Sequence, residues 1–489
     1  MNRRQFLSTA VAGTLIRATE TPPNIVFILA DDLGYGDLGC FGQQKIRTPN
    51  IDRLAASGMR FTRHYSGSPV CAPSRCVLMT GLHPGHSAIR DNKEIQPEGQ
   101  ASLPAGTETL ARALRKVGYR TGCFGKWGLG APGSPGEPLR QGFDRFFGYN
   151  CQRHAHNYYP SYLWDNDQRR PLDNPEFSPH QRLPEHLDPN DPASYKQYTG
   201  RQYSADLIAE EARKFVRAHS TRPFFLAWTT TVPHVALQVP DEELAEYLGR
   251  WPETPYRGER RYLPHRTPRA AYAAMITRLD REVGRMMQLV RELGLEQRTI
   301  FIFVSDNGPV TGGTGGTDYS FFNSNAHLRA GKGAVYEGGI RVPMIISWPG
   351  RIAAGTQSDR VTGFEDWFPT LLELAGLQAP GGLDGISFAP TLFGGNQTPR
   401  PFLYREFPAY GGQQCLLSGD WKLVRRDLNP NRSEAFEARP TTELYNLALD
   451  PLERQDVAAA NPKVVARLEE MARSQHSNSD MFPFPALDT

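Results

Sequence analysis

The sequence is poor in cysteine. Six residues (40, 71, 76, 123, 151 and 415) in a chain of 489 are too few for a disulfide scaffold. No CxxC pair occurs, and Cys71 and Cys76 do not have the spacing of a structural zinc site. An excess of charge of one sign is also lacking. The net charge of +3 gives no reason to expect nucleic acid or an anionic membrane surface as partner. An anionic substrate must then be caught by a local cluster. No apolar run is long enough to span a bilayer. Internal repeats and low-complexity tracts are absent.

What is present fits a globular protein. Apolar residues make up 39% and charged residues 22%. The length predicts one large domain and a smaller one. The first residues read as an export signal of the twin-arginine type over 1–20, with Arg3 and Arg4 ahead of a short apolar stretch to Ile16. The expected location is therefore periplasmic or extracellular.

Several short runs are apolar on both faces and read as buried strands: Asn24 to Leu29, Thr121 to Phe124, Pro223 to Trp228 and Ile300 to Val304. Between them lie helical patterns. Met275, Leu279, Val283, Met286, Val290 and Leu293 make one apolar stripe at spacings of three and four. Strands alternating with helices predict an α/β fold with a large, mostly parallel sheet between helices. In such sheets ligands bind beyond the carboxyl ends of the strands. Asp31 and Asp32 follow the first run, Lys126 the second, His234 the third, and Asp306 and Asn307 the last. Three carboxylates and an amide are oxygen donors only, the set that holds a hard cation such as Ca²⁺ or Mg²⁺.

The stretch Ser68 to Gly81, SPVCAPSRCVLMTG, opens a predicted helix with Pro73 in its first turn. Cys71 then lies near a helix N-terminus, where anions are favoured. Its expected neighbours are a cation, Arg75 and Lys126, a setting better suited to a bound oxyanion than to thiol chemistry.

Cys71 to Arg75 with Met79 to Gly81 resembles the signature of type I sulfatases, C-x-P-S-R followed by T-G. The resemblance also covers Asn24 to Asp32 with Gly34 to Asp37, Thr48 to Asp52, Gly125 to Trp127, Pro233-His234, Ser305 to Gly308, Gly331 to Gly333 and Tyr336 to Pro343. It implies an alkaline phosphatase-like fold and hydrolysis of sulfate esters. It implies that a maturation enzyme oxidises Cys71 to formylglycine. It implies that Asp31, Asp32, Asp306, Asn307 and residue 71 bind one Ca²⁺. One hydroxyl of the hydrated residue 71 would attack sulfur, and loss of a proton from the other would release sulfate. Arg75 and Lys126 would stabilise that diol, Lys332 would hold sulfate, and His234 would protonate the leaving alcohol or assist Lys332 in doing so. The chain departs from the family at Gly128, where many members have histidine (GKWHLG). His83, His86, His154 and His156 are the substitutes the sequence offers.

The implied substrate is a sulfated sugar, with a galactose or N-acetylgalactosamine unit favoured. A phosphoester or phosphonate hydrolase of the same fold, and a catalytically silent sulfoglycan-binding protein, are the alternatives. His154, His156, Asn92 and Glu406 are candidate substrate contacts, with Gln413 and His476 beside Glu406. The loop His154 to Pro160 reads equally as a sugar-binding lip or as a packing loop. Thr311 to Asn325, rich in Gly, Ser and Thr, reads as a substrate lip, and Asp165 to Tyr195 as an irregular insertion. Pro380 to Thr398 marks a boundary between a catalytic domain at 21–398 and a smaller C-terminal part at 399–489, with a small antiparallel sheet and a closing helix. The number of subunits is not legible.

Overall fold

The computed structural model describes residues 21–429 and 439–488, so the leader read at 1–20 lies outside the described residues. Eleven strands form the main sheet: β1 (Asn24–Ala30), β2 (Met59–Tyr65), β3 (Arg120–Lys126), β4 (Arg145–Tyr149), β5 (Tyr162–Asp165), β6 (Gln168–Pro171), β7 (Phe224–Thr229), β8 (Thr299–Ser305), β9 (Arg341–Ser347), β10 (Thr356–Ser358) and β11 (Thr362–Gly363). Their order is β10-β2-β9-β8-β1-β7-β3-β4-β5-β6, with β11 beside β2. The central strands β8, β1, β7, β3 and β4 are parallel. β9 runs antiparallel to β2 and β8, and β5 and β6 form an antiparallel edge.

The central strands are apolar throughout because both faces are covered. In β1, Val26, Ile28 and Ala30 face the core under the helix Pro268–Glu292, while Ile25, Phe27 and Leu29 face the core under the helices Cys71–Thr80, Leu110–Lys116 and Trp367–Leu374. The two sets alternate, as the two-residue period of a strand requires. The stripe from Met275 to Val290 is buried in the first of these cores.

A second, antiparallel sheet follows: β12 (Leu403–Phe407), β13 (Gln413–Ser418), β14 (Trp421–Arg426) and β15 (Thr441–Asn446). One face takes the helix Pro462–Arg473 through Leu468 and Ala472. The other packs Phe407, Cys415, Leu417 and Val424 against Tyr65, Val70, Val335 and Ile340. Val70 immediately precedes Cys71, so the small sheet buttresses the strand-to-helix turn that carries it. The segment Asp165 to Tyr195 departs from the irregular reading at its start, where Gln168–Pro171 pairs as β6 although its residues are exposed. All six cysteines are unpaired.

A buried ion pair ties the two sheets. Arg405 of β12 donates to both oxygens of Glu365 at 3.1 and 2.8 Å and from Nε to the Ser66 carbonyl at 2.6 Å. Both side chains are essentially inaccessible. Removing one member of such a pair leaves an uncompensated buried charge. Glu365→Ala is expected to lower stability by about 3–5 kcal/mol, while Glu365→Leu with Arg405→Met regains most of that loss. Denaturant unfolding of the three proteins checks this. A Glu365→Ala loss below about 1 kcal/mol contradicts it.

Candidate active site

Strand register assembles the site. Ala30 pairs with Ser305, so Asp31-Asp32 and Asp306-Asn307 leave the sheet side by side. The Asp31 N–H donates to the Val232 carbonyl, which draws the loop after β7 with His234 to the same edge. Lys126 ends β3 next to it. Gly125 has φ +124°, and a Cβ there would lie 1.9 Å from the Thr229 carbonyl oxygen. Only glycine lets β3 and β7 close at this point. Asp32 itself is left-handed at φ +63°, a conformation aspartate tolerates better than most residues.

The helix Cys71–Thr80 begins at Cys71, and every residue in it is buried. Its entry is fixed by side chains. The Asn92 carboxamide oxygen accepts from the Ala72 N–H at 3.0 Å, and Ser74 Oγ donates to the Asp306 carbonyl at 2.6 Å. Arg75 holds Asp306 Oδ2 through Nε at 3.1 Å and Nη2 at 2.8 Å, lies 3.5 Å from Asp31, and also bonds the Lys126 carbonyl. Lys126 Nζ lies 2.7 Å from Asp31, and Lys332 Nζ 2.8 Å from Asp32. His234 Nε2 is 3.5 Å from Asp32, and Cys71 Sγ is 3.5 Å from Asp31. Asn307 Nδ2 donates to Asp32 Oδ1 at 2.7 Å.

Ligating atoms of Asp31, Asp32, Cys71 and His234 all lie within 4.8 Å of one another. Asp306 stands alongside, its Oδ1 accepting from the Asp32 N–H at 3.1 Å. Asn307 Oδ1 is buried without a partner. An orphaned amide oxygen beside three carboxylates is the chemistry of a hard-cation site, and the residues present fit one.

Electrostatics follows the packing. Burial alone would raise the Asp31 carboxyl, but Lys126, His234, Arg75 and Lys332 hold it below the ordinary carboxylate range. Asp306 is pushed up to about 6 by burial and by Asp31, against Arg75 and Lys126. Burial pushes the Cys71 thiol up to about 12 despite Lys126 and Lys332. Burial, then Lys332, brings His234 down to about 4. Burial disfavours the charged forms of Lys126 and Lys332 as well, yet their carboxylate partners keep both raised above the ordinary lysine value. Three carboxylates thus face three permanent cations, and a bound divalent ion would leave the site positive toward an anionic ester.

Of the candidate substrate contacts, His156 reaches the site. Its ring stacks on His234 at 4.9 Å and 5°, and its Nδ1 meets His180 Nε2 at 2.9 Å. Tyr262 closes the group, edge-on to His156 at 5.0 Å and to His234 at 5.9 Å. The sequence reading missed His180 and Tyr262, because both lie on irregular segments whose position only the tertiary fold decides. Asn92 serves as the helix cap just described. His154 does not reach the site: it packs against Tyr149 and Tyr162 and turns to Glu98 at 3.4 Å. The loop from His154 to Pro160 therefore divides, with His156 at the site and Tyr158 and Tyr159 in the core. His83 and His86 stack on each other beside Asp384, so neither replaces the family histidine. The stretch Thr311 to Asn325 is anchored by Phe322, buried against Trp251 and Tyr272, and by Asp318 on Arg269.

Glu406 is a correction. It is fully buried, bonded to Arg90 at 2.9 Å, to the Tyr404 hydroxyl at 2.6 Å and to His476 at 2.8 Å, with no face left for substrate. Gln413 is likewise spent on Gly333 and Val335 backbone. His476 bridges Glu406 and Asp488, fastening the C-terminal tail. Burial would lower its imidazole, but the two carboxylates raise it above 6.5. That contribution to stability is full below the unfolded value and is lost as pH rises through the elevated one. Wild-type Tm is therefore expected to fall more than that of His476→Gln between about pH 6 and about pH 8.5. Parallel slopes contradict this.

Comparison with known proteins agrees with the geometry. Residues 23–377 match the sulfatase family, and residues 327–477 match the C-terminal region of N-sulphoglucosamine sulphohydrolase. The chain is 33% identical to human arylsulfatase A over 96% of its own length and 90% of that protein. It is 34% identical to rat N-acetylgalactosamine-6-sulfatase, covering 90% and 82%. The crystal structure of Ps i-CgsB in complex with k-i-k-neocarrahexaose superposes with a TM-score of 0.74 at 26% identity, covering 93% of each chain. Among the described residues no helix is long and apolar enough to cross a membrane. With the sulfatase match running from β1 through the helix Trp367–Leu374 and including the Cys71 signature, the chain belongs to the sulfatase family, a sulfuric ester hydrolase of alkaline phosphatase-like fold.

Proposed function

We propose that this protein hydrolyses the sulfate ester of a sulfated sugar, using residue 71 as formylglycine beside one Ca²⁺ held by Asp31, Asp32, Asp306, Asn307 and residue 71. The observation that carries this reading is the setting of Cys71. A thiol pushed up to about 12 in a buried site is a poor nucleophile at neutral pH. Yet its Sγ sits among oxygen donors and three cations, where an oxygen function would belong. As hydrated formylglycine, residue 71 would supply one hydroxyl as the nucleophile that displaces the alcohol at sulfur and a second whose ionisation would break the new C–O bond, releasing sulfate and restoring the aldehyde. Ca²⁺ held by these residues would supply positive charge to the sulfate group.

The chain's own residues do the rest. Arg75 fixes Asp306 and, through the Lys126 carbonyl, the turn that aims Lys126 at Asp31 and residue 71. Lys332 stays charged and presents a cation to the sulfate group. His234 donates from Nδ1 to the Val235 carbonyl, so its unprotonated Nε2 faces Asp32 and the substrate. In the free protein it is neutral at pH 7. It therefore either gains a proton as the anionic ester binds or relays one from Lys332 to the leaving alcohol.

A galactose or N-acetylgalactosamine unit is the favoured substrate, supported by the N-acetylgalactosamine-6-sulfatase relative and by the neocarrahexaose complex of Ps i-CgsB. The ring faces of His156 and Tyr262 beside His234 suit a sugar. Export through the twin-arginine leader, maturation by a formylglycine-generating or equivalent enzyme, and a division at 398/399 complete the proposal. The first experiment is the mass of the tryptic peptide His64 to Arg75 from the protein's own host, followed by turnover of an aryl sulfate against aryl phosphate esters. Aldehyde or hydrate at residue 71 with preference for sulfate is expected. Unmodified cysteine, or preference for a phosphate ester, overturns it.

A further inference from the structure

The space at Gly128, where many members of the family carry histidine, is filled by another polar side chain. Gly128 has φ +81°, and a Cβ there would lie 2.3 Å from Gln152 Nε2 and 3.1 Å from its Oε1. The Gln152 carboxamide thus fills the space into which a side chain at 128 would grow. Gln152 is only 6% exposed, and both its Nε2 and its Oε1 lack a hydrogen-bond partner. A buried amide with neither end satisfied destabilises a fold, and an apolar side chain of the same length would not. Such a breach of a packing rule is expected where a group serves a ligand.

Its position fits that purpose. Lys126 is in register with Tyr149 in the parallel pair of β3 and β4. The Trp127 N–H donates to the Tyr149 carbonyl at 2.9 Å, and the Gly128 N–H to the Asn150 carbonyl at 3.0 Å. Gln152, three residues after Tyr149, therefore follows β4 at the same carboxyl edge at which Lys126, paired with Asp31, ends β3.

We infer that Gln152 takes the place of the family histidine at residue 71, donating from Nε2 and accepting at Oε1 to hold the hydroxyls of the hydrated residue. This rests on the formylglycine reading above. An amide holds and orients but does not exchange a proton near neutral pH.

The test uses the matured, full-length protein and two variants. Gln152→Met keeps the side chain's length without polar atoms, and Gly128→His with Gln152→Gly makes room for the family histidine. Gln152→Met is expected to keep or raise Tm, since it removes unsatisfied polar groups. Its kcat on an aryl sulfate is expected to fall about 10²-fold. Hydroxylamine should capture its residue-71 aldehyde faster than in the wild type, because the diol has lost its hydrogen bonds. The histidine variant is expected to regain turnover over Gln152→Met and to add an ionisation in the histidine range to the pH–rate profile. A Gln152→Met protein with kcat within about twofold of wild type and an unchanged capture rate overturns the inference alone. A wild type that carries no aldehyde at residue 71 and turns over no sulfate ester removes the formylglycine reading, and the inference with it.

Discussion

Cys71→Ala is expected to abolish turnover of sulfate esters, by about 10⁴-fold or more, while leaving the fold intact. The loss is that large because the nucleophile itself is removed. What would survive is the proposed binding by Lys332 and the cation, acting on an ester that nothing attacks. The fold tolerates the change because the helix is anchored elsewhere: Asn92 caps Ala72, Ser74 holds the Asp306 carbonyl, and Arg75 holds the Asp306 carboxylate. Of the five donors proposed for the cation, four would remain. Cys71→Ser separates the two halves of the chemistry. A single hydroxyl can attack sulfur and expel the alcohol, but it has no second hydroxyl whose ionisation breaks the new ester. The expected product is one serine sulfate per chain, seen as the added mass of SO₃ on the His64 to Arg75 peptide, with release of one equivalent of alcohol. Turnover by Cys71→Ala within about tenfold of wild type contradicts the assignment of the nucleophile.

The parts of this site that the sequence displays are those carried by regular structure. Ile25 to Leu29 and Ile300 to Val304 are apolar on both faces, which marks buried parallel strands. The polar residues after such strands must gather at one edge, so Asp31, Asp32, Asp306 and Asn307 were legible as a set. The outer strands were harder. Met59–Tyr65 mixes Arg60, Arg63 and His64 with apolar residues, and its pairing with β9 is irregular between Phe61 and His64, so neither two-fold alternation nor a continuous run shows. The residues around the edge were least legible. Tyr262 and His180 come from loops, and Gln152 follows the last residue of β4 by three positions. Glu406 misled because a carboxylate on the smaller sheet looks like a substrate contact until Arg90, Tyr404 and His476 are seen to consume it. The absence of histidine at 128 was visible in the sequence. What fills its space depends on the path of the chain after β4, which no local pattern encodes.

His234→Ala should have an effect that depends on the leaving group. If His234 delivers the proton to the departing alcohol, directly or by relay from Lys332, its loss matters in proportion to how badly that alcohol needs it. A sugar hydroxyl leaves as a strongly basic alkoxide, so kcat on a sugar sulfate is expected to fall about 10²- to 10⁴-fold. A nitrophenol leaves readily as its anion, so the loss on nitrophenyl sulfate is expected to stay below about tenfold. Lys332 and the cation still bind sulfate in both cases, so KM for either ester should move little. The electrostatics adds a second signature. Burial and Lys332 set the low His234 value, with Asp32 and Asp31 opposing. Lys332→Met removes the largest electrostatic cause of the depression, so His234 should gain its proton at higher pH. If the protonated imidazole is the acid, that ionisation governs the alkaline side of kcat/KM, so the alkaline limb moves upward in Lys332→Met and disappears in the Lys332→Met, His234→Ala pair. Equal losses on the two esters would instead mean that His234 only orders the site, through its stack with His156 and its contact with Asp32. In that case the proton comes from Lys332 without it.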